Sequence, residues 1–203
     1  MPAGKPYHHG DLRSALLKAS LELIAAAGAR EFTLREVARR AGVSHAAPYR
    51  HFRDKDELLA ALAADGFDSL TAAIRSAAAR EPSEFARLLH AGIAYIHFAQ
   101  DEPERFSIMF SADLDPARHP ATRTAAARCF AELVALVAAC RPARPAVPST
   151  DIAARIAWAQ VHGIADLTLR GQLTFKSRRE LTEFATAAID AIGQGLHLAP
   201  RRH

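Results

Sequence analysis

At 203 residues, half of them hydrophobic and 24% charged, the chain has the make-up of a globular protein with one large domain or two small ones. The opening MPAGKPYHHGD lacks the apolar core of a signal peptide, and no run approaches the roughly 18 apolar residues of a membrane span. The net charge is +4, and its distribution is uneven: residues 1–56 hold 10 Lys+Arg against 6 Asp+Glu, while residues 57–203 hold 16 of each.

In chain order the signals are helical throughout, with no alternating strand segment. A first helix is expected from about Asp11 to Ala27, with Leu12, Leu16, Ala19, Leu23 and Ile24 along one side and Gly28 closing it. Thr33 caps a second helix and Glu36 completes its capping box; Leu34, Val37, Ala38 and Ala41 form the buried stripe. Gly42 supplies the positive φ of a sharp helix end. Ser44 is read as the cap of a third helix of about eight residues, or about 12 Å, a length that suits the major groove of DNA. Pro48 removes the first hydrogen bond of that helix, so a tight or kinked start is expected.

Asp54 with Glu57 opens a fourth helix to about Ala79, which could link a basic head to a neutral body. Glu81-Pro82-Ser83 breaks the chain, and Ser83 starts a helix carrying Phe85, Leu88, Leu89, Ile93 and Ile96. A short apolar helix, RFSIMF, follows Pro103, and another spans about Ala121 to Cys140. The three prolines of residues 141–148 mark a linker. Ser149 or Thr150 starts an eighth helix that stops near Gly171, and Ser177 with Glu180 opens a ninth to about Leu198, before a frayed tail. Cys129 and Cys140 lie eleven residues apart on one helix face, about 16 Å along the axis. That is too far to bridge, so both read as small buried hydrophobes in a reducing cytoplasm.

A basic module on a neutral body is the footprint of phosphate binding, although a basic solvated face gives the same count. Residues 7–67 resemble the DNA-binding domain of TetR-family transcriptional regulators. The Thr33 opening, the turn VARRAGVS, the run Tyr49-Arg50-His51-Phe52 and Lys55-Asp56-Glu57-Leu58-Leu59 carry the resemblance. It implies an all-α protein of about nine helices: a helix-turn-helix head over residues 7–67, with the motif at 33–52, and a ligand-binding and dimerisation domain over 68–203. Thr33 stands at a helix start suited to phosphate. Ser44, His45, Ala46 and Ala47 open the reading helix; Ala46 or Ala47 could meet a thymine methyl, and His45 a guanine or a phosphate. Tyr49, His51 and Lys55 are phosphate candidates, and Lys5, His8 and His9 a candidate arm along the backbone or into the minor groove. Packing alone is the competing reading for Tyr49 and His51, and Phe52 is expected in the core.

In the body, AWAQVHGIADL resembles the Trp-x-x-x-His-Gly pattern of one class of TetR-family C-terminal domains. Trp158, His162 and Asp166 share a helix face. They read either as the polar end of an apolar pocket, with His162 orienting a ligand or switching with pH, or as core residues with Gly163 admitting a neighbouring helix. Further ligand candidates are Tyr95, Phe98, Phe106, Met109, Phe110 and Phe130. His90 and His97 lack the spacing of a helical metal pair, so no metal or cofactor is called for. Ile152, Ala153, Ile156 and Ala159, with Leu181, Phe184, Ala188, Ile189 and Ile192, give the last two helices wide apolar faces. The family resemblance makes these helices the homodimer interface, and a two-fold dimer suits a palindromic operator on double-stranded DNA. The effector is expected to be a small apolar or amphipathic molecule. A ligand-independent, DNA-bound partner platform is the alternative. Nucleophile elbows, phosphate loops, zinc spacings and redox cysteine pairs are missing from the sequence, and Gly193-Gln194-Gly195 follows a helical pattern, so an enzyme is not expected.

Overall fold

The computed structural model describes residues 9–28, 31–115, 117–141 and 148–198. Among them it has eight α-helices and no strand: α1 His9–Ala27, α2 Leu34–Arg40, α3 Lys55–Ala78, α4 Glu84–Asp101, α5 Pro103–Met109, α6 Pro120–Ala139, α7 Thr150–Leu169 and α8 Arg178–Gly195. The expected third helix, after Ser44, does not form, which leaves eight of the nine. Only a single 3₁₀ turn, Pro48–Arg50, stands there. Its bonds run from the Arg50 amide to the Ala47 carbonyl (3.2 Å) and from the His51 amide to the Pro48 carbonyl (2.9 Å), after a turn in which the Ala47 amide reaches the Ser44 carbonyl (2.9 Å). Proline at 48 has no N–H to reach back four residues, so the segment closes over three. No side-chain cap bond opens this turn, so Ser44 is not the cap it was read to be. The proposed arm residues Lys5 and His8, the 142–147 part of the linker and the tail beyond residue 198 lie outside the described residues; His9 opens α1.

The other helix ends follow the sequence. Thr33 and Glu36 form a reciprocal capping box, and the hydroxyls of Ser83, Ser149 and Ser177 each accept an amide of the following turn. Gly42 takes φ +69°, with the Val43 amide bonded to the Ala38 carbonyl at 3.0 Å. That six-to-one bond is a Schellman stop, and it turns the chain sharply after α2. After α8 the same bond, Leu198 amide to Gly193 carbonyl at 2.8 Å, is made with His197 in the left-handed region at φ 57°.

Contacts divide the chain into two compact units. The first comprises residues up to Asp65 together with Glu104–Arg123; the second comprises Gly66–Pro103 and the chain from Thr124 onward. In the first, Leu16, Val37, Leu58 and Leu62 are fully buried and Phe52 is 2% exposed. Burying each such side chain contributes about 1.5–3 kcal/mol. Polar ties hold residues 104–123 to this unit: the Thr122 hydroxyl donates to the Ala60 carbonyl (2.8 Å), Arg105 pairs with Asp65 (2.6 Å), and Arg118 lies 4.0 Å from Asp56.

In the second unit α4 packs on α7 and α8. Gly92 permits the closeness: a Cβ there would lie 2.8 Å from Ile189 Cδ1 and 3.3 Å from Val161 Cγ1. The sequence pointed to Gly163 for this role, but a Cβ at Gly163 meets nothing within 4 Å. Leu88, Val137, Ala153, Ala154, Leu196 and Leu198 form a core cluster, so the residues just past α8 are folded back into the body. Cys129 is buried and Cys140 half-buried, both free, in keeping with their reading as small hydrophobes. No described helix is long and apolar enough to cross a membrane.

Candidate nucleic-acid interface and effector site

In the first unit the Gly42 stop delivers the chain into the segment 44–53, and Phe52 anchors its far end in the core. Between them Ser44, His45, Ala46, Tyr49 and Arg50 are exposed, Tyr49 at 54%. Ala47, expected at the bases, is only 8% exposed, and Pro48 is buried beside it. The tight winding turns both inward, so Ala47 packs the turn and does not face solvent. The His51 Nε2 atom is buried without a partner, so that nitrogen is not presented to a phosphate. Lys55 sits in the first turn of α3 with Nζ 4.5 Å from the Phe32 ring centroid, a cation–π contact that positions the ammonium.

Thr33 is engaged differently from the expectation. Its amide (2.8 Å) and its hydroxyl (2.9 Å) both donate to one Glu36 carboxylate oxygen. Those hydrogen bonds hold the Glu36 carboxyl below its ordinary pKa. The start of α2 thus already carries an anion, and a phosphate at Thr33 has to displace it. Of the cations nearby, Arg40 is paired with Glu22 (2.6 Å) and Arg53 with Asp54 (3.2 Å). Arg50, which the sequence reading passed over, is exposed, and its guanidinium has no hydrogen bond or ion pair among the described residues. Its place between two residues already singled out was the available signal.

In the second unit the predicted ligand residues of α4, α6 and α7 meet. The Trp158 indole N–H donates to the Tyr95 hydroxyl oxygen (3.3 Å), and the Tyr95 hydroxyl is 2.9 Å from His162 Nδ1. The indole can only donate, so Tyr95 accepts from Trp158; the direction of the Tyr95–His162 bond follows the tautomer of the imidazole. Burial pushes the His162 pKa down, with Asp166 opposing, and burial pushes the Tyr95 phenol up. Asp166 itself is tied to Arg170 (2.7 Å), so its carboxylate is not the hydrogen-bonded orienter of the imidazole. Phe130 stands edge-on to Trp158, with ring centroids 6.0 Å apart.

The remaining ligand candidates divide. Phe98 is buried on α4. Phe106, Met109 and Phe110 belong to α5 and its end, in the first unit, where the rings of Phe106 and Phe110 meet tilted at 53° with centroids 4.9 Å apart. Among the described residues no group of three or more His, Cys, Asp or Glu is placed to hold a metal. His97 instead bonds the Thr182 hydroxyl across to α8 (2.9 Å), and His90 lies 3.4 Å from Glu81.

Two family models match the chain. A family model described as bacterial regulatory proteins, tetR family, matches residues 16–62. A second, described as tetracyclin repressor-like, C-terminal domain, matches residues 88–192, just over half of the chain, and includes Trp158, His162 and Gly163. Among solved structures, a protein of unknown function from Rhodococcus sp. RHA1 is 36% identical, with a TM-score of 0.82 over 96% of this chain and 100% of that one. A bacterial regulatory protein of the tetR family from Rhodococcus RHA1 is 21% identical, with a TM-score of 0.70 over 93% and 98%. The TetR family transcriptional regulator PfmR from Thermus thermophilus is 21% identical, with a TM-score of 0.66 over 89% and 98%, a likeness of fold. No curated protein matches the sequence.

Proposed function

Because this chain belongs to the TetR family of DNA-binding transcriptional regulators, a family of regulators and not of enzymes, we propose that it is a cytoplasmic repressor that binds a palindromic operator as a homodimer and releases it on binding a small apolar or amphipathic effector. The observation that carries the DNA half is the presented segment: a Schellman stop at Gly42, a core anchor at Phe52, and His45, Ala46, Tyr49 and Arg50 exposed between them. Tyr49 and Lys55 are assigned to phosphates, His45 and Ala46 to base edges.

The dimer is assigned to the outward faces of α7 and α8. Ile152 (50%), Leu167 (42%) and Phe184 (42%) are large apolar side chains left exposed there, with Ala159 exposed and open space over Gly163 between them. Ala153, Leu181 and Ile189, counted in that face from the sequence, pack inside their own subunit and drop out. Two copies place two reading segments on half-sites about 34–36 Å apart. The effector site is assigned to Tyr95, Phe98, Phe130, Trp158 and His162. An effector regulates only if it binds the DNA-competent and DNA-incompetent states unequally.

The test is a binding titration of the purified protein at physiological salt, first against a palindrome selected from random DNA and then against its scrambled version. The selected site is expected to bind about 10³-fold tighter or more. Equal affinity for both removes the specific-regulator reading.

A further inference from the structure

We propose that Arg50 is the specificity-determining residue of the head and reads a guanine in each half-site of the operator; this rests on the reading of the 44–53 segment as the DNA interface. That segment offers few groups to a base edge. Ala47 and Pro48 are turned inward. His51 has Nε2 sealed in the protein, and the Arg53 guanidinium is held by Asp54. Ala46 presents a methyl group, which suits thymine and carries no donor. His45 and Tyr49 each offer single hydrogen bonds. Arg50 alone in the segment presents a planar fork of donors, exposed and unpaired among the described residues. A guanidinium matches the O6 and N7 acceptors of guanine with two parallel bonds, a discrimination that single donors do not reach.

The 3₁₀ winding contributes to this placement. Pro48, buried beside Ala47, fixes the base of the turn, and Arg50 at its end is exposed. The long Arg50 stem therefore leaves the protein from an anchored position. Phosphate contacts are available from Tyr49 and Lys55 on the same stretch, and Ala46 adds no bulk that holds the backbone away from the groove floor.

The experiment compares base preferences of the full-length protein and of Arg50→Ala, each obtained by selection from random duplexes and then by titration on single-base variants of the selected site. The wild type is expected to demand one G·C pair at symmetric positions of the two half-sites. Arg50→Ala is expected to lose that demand alone, with discrimination at the pair falling about 5- to 150-fold and the other positions retained. Arg50→Gln keeps part of the stem and serves if the alanine variant melts early; it too must lose the guanine. If Arg50→Ala weakens all sequences alike and lowers the salt slope by about one, Arg50 is a phosphate contact and the proposal is overturned. An unchanged preference overturns it as well. A wild type that selects no sequence removes the regulator reading itself, an outcome separate from either.

Discussion

His162 holds its Nδ1 2.9 Å from the Tyr95 hydroxyl in a partly buried position, and that burial disfavours the charged imidazole. With its folded-state pKa lowered by burial, His162 binds a proton less readily in the folded than in the unfolded chain. The stability this group contributes is present above the unfolded value of about 6.5 and is lost as pH falls through that value and then through the lower folded one. His97, lowered by burial and by Arg178, acts in the same direction. The carboxylates lowered by their arginine partners, Asp101 and Asp166, titrate below this window. The melting temperature is therefore expected to fall as pH drops below about 6.5, and His162→Gln is expected to flatten part of that fall. A His162→Gln profile parallel to the wild type shows that burial does not hold the imidazole neutral. None of this was legible in sequence beyond the shared helix face. Trp158 and His162 sit four residues apart and could be paired on paper, but Tyr95 is 67 residues away from His162, and only the packing of α4 on α7 supplies it.

Helix ends were the readable elements, because a cap is settled by residues three or four apart: Thr33 with Glu36, Ser83, Ser149, Ser177, and the glycines at 42 and 171. The reading segment was not, because both outcomes of a proline at its centre, a kinked helix and a 3₁₀ turn, satisfy the same local rules. Pro48→Ala restores an amide that can reach the Ser44 carbonyl. It is expected to shift the medium-range NMR contacts over residues 45–51 from the i, i+2 pattern of a 3₁₀ turn to the i, i+4 pattern of an α-helix. Persistence of the tight pattern means that tertiary packing, not the missing donor, sets the winding. Gly92 was overlooked for a related reason: a helical glycine has no local signature of what passes over it. Gly92→Ala gains about 1 kcal/mol of helix propensity, while overpacking costs about 1–3 kcal/mol. The two nearly offset, so the single change is a poor probe. The coupling is the better one. Ile189→Val removes the Cδ1 atom that a new methyl would approach to 2.8 Å, so Gly92→Ala is expected to be better tolerated in that background. Additive denaturation free energies would show that α4 and α8 do not meet at this point.

For the whole molecule, the charge split and the apolar pattern announced a basic head and a neutral helical body, while the family follows from the motif residues between Thr33 and Leu59 and from the two matching family models. The proposed dimer makes the sharpest demand at this scale. Leu167→Glu with Phe184→Glu places two carboxylates on the assigned face without touching a buried core position. The variant is expected to sediment as a monomer, with helix content retained, and to lose operator affinity while single-half-site binding persists. A dimer that survives the double change moves the interface elsewhere. What the sequence did not disclose is that the first unit is sewn from two separate stretches: α5 and the start of α6 join it through Thr122 and Arg105. This governs how such proteins can be recombined. A head transplanted onto another regulator by one cut near residue 67 leaves behind the donor of the Ala60 carbonyl and the partner of Asp65. The chimera keeps its operator-reading segment but loses part of the fold beneath it, so a faithful exchange requires a second pair of crossovers bracketing residues 104–123.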